Sequence, residues 1–304
     1  MLYYLPIADV EINILIILLS GSFVGFLSGL FGVGGGFLMT PILIFLGIPP
    51  ATAVATEANQ ILGSSVSGAS AHGRKNNIDF EIGLFLLIGG IFGSTLGVMF
   101  FKFMRDSGNI DLIISLFYIV FLAIIGTLMF IESFIATFKN KVVVKKIRRK
   151  RNILDKLPLK LRFKKSKCYI SILIPIIVGS FVGILSAVMG VGGGFVMVPA
   201  MIYLMRMTTV AAVGTSLFQI VFVTANVTIL QATYNQSVDL ILAVFLLVGG
   251  VLGAQFGSQY TIKFKGEQLR MLLASLVILV CFKMSFDLVS EPLLNSRLII
   301  QETN

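Results

Sequence analysis

Charge is scarce in this chain. Only 12% of its 304 residues are Asp, Glu, Lys or Arg, and 57% are hydrophobic. A water-soluble domain carries about twice that charge, and there are no polar helices to cover the apolar ones. Histidine occurs once, at His72, and cysteine twice, at Cys168 and Cys281. That spacing builds neither a metal site nor a redox pair, and one histidine without a partner argues against an intramembrane enzyme. No GxxxxGK[ST] loop occurs, so the chain is not itself an ATP-driven pump. No cofactor is expected. The N-terminus carries Asp9 and Glu11 and no basic residue before its first apolar run. It therefore reads as a retained span rather than a cleaved leader.

Long apolar runs are plentiful. "IGLFLLIGGIFGSTLGVMFF" (82–101) and "DLIISLFYIVFLAIIGTLMF" (111–130) are each long enough to cross a bilayer core of ~30 Å as a helix. The expected class is an all-α polytopic protein of the cell membrane, the inner one if the cell has two, with the lipid bilayer as its main partner.

The chain is duplicated. "GSFVGFLSGLFGVGGGFLMTP" (21–41) and "GSFVGILSAVMGVGGGFVMVP" (179–199) agree at 15 of 21 positions at an offset of 158. "LFLLIGGIFGSTLG" (84–97) pairs with "VFLLVGGVLGAQFG" (244–257), and "NNIDF" (76–80) with "QSVDL" (236–240), both at offset 160. "AVAT" ending at Thr56 pairs with "AVGT" ending at Thr215. This gives a first repeat over 1–138, a basic linker over 139–167 and a second repeat over 168–304. Each repeat holds five apolar pieces, at 12–31, 34–47, 52–71, 80–101 and 110–132, then 169–189, 192–205, 209–230, 240–260 and 269–290. The second piece, about 14 residues or ~21 Å, either crosses beside a broken partner or is re-entrant.

Five crossings per repeat make the repeats inverted; four make them parallel. Lys and Arg concentrate in cytoplasmic loops, and the linker holds 14 of the 24. With the linker inside, five-plus-five leaves only Lys102, Arg105 and Arg297 outside, so inverted repeats with both termini outside fit better. The linker is read as a solvated, lipid-facing loop rather than a nucleic-acid site.

Triple glycines at Gly34, Gly35, Gly36 and at Gly192, Gly193, Gly194 interrupt apolar runs. Unpaired backbone survives at membrane depth only where protein buries it or where it lines a wet path. A helix restarting there offers free N–H groups and a positive dipole end, an anion site without a charged side chain. The GxGxxG nucleotide reading fails for want of a preceding strand. Stripes at Gly21–Gly25, Gly179–Gly183, Gly89–Gly93–Gly97 and Gly249–Gly253–Gly257 read instead as close helix packing. Polar residues inside spans complete the candidates for substrate contact or gating: Thr56, Glu57, Asn59 and Gln60 in the first repeat, Thr215, Ser216 and Gln219 in the second, and Lys283. A buried acid in a span is a functional candidate by default, so Glu57 could carry a coupling proton. His72, beside Arg74 and Lys75, reads as an interfacial residue or a proton relay.

These elements resemble the sulfite exporter TauE/SafE family of membrane transporters. The resemblance lies in "GLFGVGGGFLMTP", "AVMGVGGGFVMVP", the Pro49–Pro50 to "AVAT" turn, "HGRKNNID" (72–79) and the glycine-rich fourth pieces, and it spans nearly everything but the linker. It implies transport of sulfite, sulfonates or related organosulfur anions. The chain departs from the family pattern at "ATEANQ", where members more often read like "GTSL", a form kept at Gly214–Leu217. An acid there suits an anion only when protonated. The expected function is thus a secondary transporter of a small sulfur-containing anion. The rival is a channel-like or structural membrane component without coupled transport. Oligomeric state and direction of transport are not legible.

Overall fold

Ten helices form where the ten apolar pieces lie. The computed structural model describes residues 2–31, 36–108, 110–138, 158–163, 165–166, 168–260 and 266–302. In the first repeat they are α1 (Ile14–Phe31), α2 (Gly36–Phe45), α3 (Pro50–Arg74), α4 (Phe80–Asp106) and α5 (Ile110–Phe138). In the second they are α6 (Leu173–Met189), α7 (Gly194–Tyr203), α8 (Thr209–Leu230), α9 (Leu240–Tyr260) and α10 (Gly266–Glu302). A π-helical turn, Gln231–Asn235, prolongs α8. Gly34, Gly35 and the core of the basic linker, 139–157, lie outside the described residues.

Two short hairpins add to the all-α expectation. β1 (Leu2–Leu5) pairs antiparallel with β2 (Val10–Asn13), and β3 (Lys160–Phe163) with β4 (Cys168–Ser171). The registers, Leu2 to Asn13 and Lys160 to Ser171, differ by the same offset of 158 as the glycine motifs. A hairpin therefore precedes the first helix of each repeat, β3 lying within the last residues of the segment read as linker, although "LYYL" and "KLRF" share no residue in register. The hairpins shorten the first helices, which begin at Ile14 and Leu173 rather than near 12 and 169.

Among the described residues, five helical stretches are long and apolar enough to cross a membrane: Phe80–Asp106, Ile110–Ile131, Thr209–Asn235, Leu240–Gly257 and Met271–Ser290. Their outer faces carry exposed Leu84, Phe92, Met99, Leu128, Phe256 and Phe282, which suits lipid rather than water. α3 is 25 residues long yet holds Glu57, Asn59, Gln60, Ser64, Ser65 and Ser67. It tolerates them because protein surrounds it: α2, α8 and α9 all pack against it. α2 and α7 have 10 residues each, about 15 Å, with Pro41 and Pro199 at corresponding places.

The helices gather into two compact units that cut across the sequence repeats. One comprises Met1–Ile110 with Lys145–Lys263, and the other Asp111–Val144 with Phe264–Asn304. The first contains α1–α4 and α6–α9. Its pairings exchange the repeats: α1 lies along α9, α6 along α4, and α3 against α8. Small residues make the long contacts possible. A Cβ on Gly25 would strike the Gly250 backbone, and one on Gly93 would strike Ser180. One on Gly249 would come within 2.7 Å of the Leu18 carbonyl. The glycine stripes are thus packing surfaces, as their spacing suggests. In the second unit α5 meets α10, with Gly126 against Val277 and the Cys281 thiol 3.4 Å from the Ile119 carbonyl.

Candidate functional site

The helix break is visible in the second repeat. α6 ends at Met189, and Gly190, Gly192 and Gly193 take φ of +68°, +66° and +75° before α7 starts at Gly194. Other L-residues resist that left-handed region, so glycine is required there. Gly190 sits against the Val54 backbone and Gly192 against the Ile61 side chain, so the turn lies on α3. The Gly193 carbonyl accepts from Val196 and Met197 at 3.1 and 2.9 Å and starts the new helix. In the first repeat Gly36 begins α2, and a Cβ there would meet Ile61, Glu57 Oε1 and the Val191 carbonyl. The residues following the two triplets touch: the rings of Phe37 and Phe195 lie 5.3 Å apart. The two restart points therefore adjoin, beside α3.

Glu57 is wholly buried. Its Oε2 accepts from the Thr40 hydroxyl of α2, and its Oε1 has no hydrogen-bond partner among the described residues. The second repeat has Ser216 for Glu57 and Val198 for Thr40, and the Ser216 hydroxyl donates to the Val213 carbonyl of its own helix, 2.9 Å away. Acid and hydroxyl thus occur together in one repeat and are absent together from the other.

Gln60 and Gln219 occupy corresponding places on α3 and α8, 4% and 0% exposed. The Gln60 side chain lies over Gly250 and reaches the Gly21 carbonyl at 3.4 Å; Gln219 lies over Gly90. Among the described residues, Gln60 Oε1 and both polar atoms of Gln219 lack a hydrogen-bond partner. Ser65, one turn beyond Ile61, also has a buried, unpartnered hydroxyl. Unmet polar groups are costly inside a protein, and among the described residues six side chains on two packed helices share that state: Glu57, Gln60, Ser65 and His72 on α3, and Gln219 and Thr228 on α8. Beside the glycine turn, Glu57, Gln60, Ser65 and Gln219 offer two amides, a hydroxyl and one carboxyl, with no Lys or Arg among them.

The other candidates have different surroundings. Asn59 donates to the Thr56 carbonyl at 3.2 Å. The Thr56 and Thr215 hydroxyls accept from the backbone N–H groups of Asp239 and Asp79, at 3.0 and 2.9 Å. His72 is half-buried in the last turn of α3, with Nδ1 unpartnered and Gly214 against its Cβ. Lys283 stands on an exposed face of α10, in the other compact unit. Sequence reasoning missed Thr40, Ser65 and the two aspartates. For Thr40 a signal existed: it is one of the six differences between the duplicated 21-residue motifs, and it parallels the Glu57–Ser216 difference.

Comparison with known proteins agrees with this architecture. The family model described as sulfite exporter TauE/SafE matches residues 17–284. The chain is 32% identical over 272 residues to the probable membrane transporter protein YjnA of Bacillus subtilis strain 168, covering 88% of this chain and 98% of that protein. It is 27% identical over 251 residues to a probable membrane transporter protein of Xylella fastidiosa strain 9a5c, covering 82% and 85%. It is 26% identical over 281 residues to the probable membrane transporter protein MJ0441 of Methanocaldococcus jannaschii, covering 86% and 91%. No solved structure matches the chain. Spans, broken helices and a match over most of the length agree, so the chain belongs to the sulfite exporter TauE/SafE family and is a multi-pass membrane transporter, not an enzyme.

Proposed function

We propose that this chain is a secondary transporter of a small sulfur-containing anion, sulfite or an organosulfonate, in which two inverted repeats give alternating access to a site between α3 and α8. The observation that carries the reading is the matched pair Gln60 and Gln219, buried on packed helices with polar atoms unmet. Amide and glycine-turn N–H groups suit a sulfur oxyanion such as sulfite or a sulfonate, whose three oxygens present acceptors in several directions. A site without fixed positive charge binds it weakly enough for release. The family's own description points to sulfur oxyanions.

Contacts between counterparts support the inverted arrangement. Phe37 meets Phe195, and α3 meets α8. A residue touches its own counterpart only beside a two-fold axis. The distribution of Lys and Arg favours placing that axis in the membrane plane.

Glu57 makes the cycle proton-linked. When protonated, it donates to the anion from Oε1; when ionised, it repels it. Anion and proton then bind with reciprocal coupling.

Uptake and efflux of radiolabelled sulfite, sulfoacetate and thiosulfate in vesicles test the reading. Saturable flux with counterflow is expected for at least one of them, and Gln219→Leu, which leaves no amide, should lower it at least tenfold. Flux that never saturates favours a channel, and no flux of any sulfur anion rejects the substrate class.

A further inference from the structure

The loops that start α4 and α9 are held by the same set of bonds, each reaching into the other repeat. Asp79 is 1% exposed and Asp239 0%. Each caps its own helix: Asp79 Oδ1 accepts from Ile82 N–H at 3.3 Å, and Asp239 Oδ1 from Ile241 and Leu242 N–H at 3.1 Å. A cap needs one carboxylate oxygen. The other oxygen of each aspartate takes the hairpin that precedes the first helix of the opposite repeat. Asp79 Oδ2 accepts from Ser166 N–H at 3.0 Å and from the Ser166 hydroxyl at 2.5 Å, beside β3 and β4. Asp239 Oδ2 accepts from Ile7 N–H at 3.1 Å, between β1 and β2.

The backbone N–H of each aspartate then donates to a threonine of the opposite repeat, Asp79 to Thr215 and Asp239 to Thr56. Those threonines lie next to Ser216 and Glu57. A basic residue backs each loop: Lys165 donates to Asn76 Oδ1 at 2.8 Å, and Arg105 to Ser237 Oγ at 2.8 Å. One aspartate thus joins a helix start, a hairpin and the helix that carries the site, and the arrangement occurs twice.

We propose that Asp79 and Asp239, with Thr215 and Thr56, are two gate clasps, each closing one side of the path to the site. The inference rests on the inverted-repeat reading, which assigns the clasps to opposite membrane faces, Asp79 cytoplasmic and Asp239 external. Both clasps are formed in this structure, the pattern of a closed state. Opening toward one face requires the clasp on that face to release its threonine and hairpin while the other holds. Thr56 and Thr215 are then positioning residues: they report the state of the gate to the helices bearing Glu57 and Gln219.

The test uses the full-length protein with Cys168 and Cys281 replaced by alanine and a reporter cysteine at buried Ser65. Labelling by a membrane-impermeant maleimide is followed in right-side-out and inside-out vesicles. Thr215→Val removes the acceptor for Asp79 and should raise labelling from the cytoplasmic face. Thr56→Val should raise it from the outer face. The change in each is on the order of tenfold, as loss of one buried hydrogen bond allows. Thr→Ser at either place keeps the hydroxyl and should restore the parent rate, which separates a lost clasp from a lost fold. Opposite-face responses establish the clasps whichever anion is carried. Unchanged rates or absent labelling in every background would overturn them, as would release toward one face in both variants while a cysteine at 234 labels from outside only. A parallel label at Tyr234→Cys reports the orientation of the repeats alone, so a failed topology is told from a failed clasp.

Discussion

Glu57 has one oxygen bonded to Thr40 and the other unmet, in a span where any acid is expensive. Glu57→Gln keeps the shape and mimics the protonated form. Transport by this variant should persist while its dependence on pH flattens; profiles that superimpose on the parent's remove Glu57 from the mechanism. Thr40→Val removes the donor and leaves the carboxyl with no protein partner. Alone it should destabilise by about 1–3 kcal/mol. In the Glu57→Gln background it should cost less, because the two residues act as one unit. A thermal-unfolding double-mutant cycle with less than about 0.5 kcal/mol of coupling would contradict that. The second repeat is a natural version of the double replacement, with Val198 and Ser216 in these places.

At the scale of elements, glycine serves two separate ends. In the turn before α7 it permits left-handed backbone; in α1, α4, α6 and α9 it lets helices touch along their backbones. The two uses should fail differently. Gly193→Leu places a side chain on φ of +75° and against Val182, and it should abolish anion binding while the protein still inserts. Gly93→Leu strikes the Ser180 backbone, where nothing flexible can yield, and should part α4 from α6. Detergent-solubilised Gly93→Leu should therefore unfold or aggregate at lower temperature than Gly193→Leu. The reverse order would show that the turn, not the helix contact, bears the structure.

For the whole molecule, the number of crossings per repeat sets which face each loop meets. Tyr234, 65% exposed in the π-helical turn after α8, reports it directly. With five crossings per repeat, a cysteine at 234 should react with impermeant reagent from outside only. Reaction from the cytoplasmic side alone would make the repeats parallel and place both Asp clasps on one face. The compact units add a constraint of their own. α1–α4 and α6–α9 interlock, whereas α5 and α10 form a separate unit. The fifth helix of each repeat is thus not needed for the exchange of α1 and α6 between repeats.

Much of this protein was legible in its residues. Apolar runs and glycine punctuation placed all ten helices, because span length and backbone freedom are local properties. The duplication was read from residue identities alone. Glu57, Gln60 and Gln219 stood out because polar groups inside spans are rare whatever surrounds them. The tertiary structure decided what each polar atom meets. Thr56 and Thr215, read as candidates for substrate contact or gating, accept bonds from helix starts of the opposite repeat. Asp79 and Asp239, which the sequence showed only as matched positions of the two repeats, are buried junctions. The hairpins were invisible because "LYYL" and "KLRF" share a backbone shape and no side-chain pattern. Span periodicity tells which residues are hidden, but it carries no record of the partner. The exchange of α1 and α6 arises from backbone contacts between residues more than 80 positions apart, such as Gly93 with Ser180 and Gly25 with Gly250, and only the folded chain brings those together.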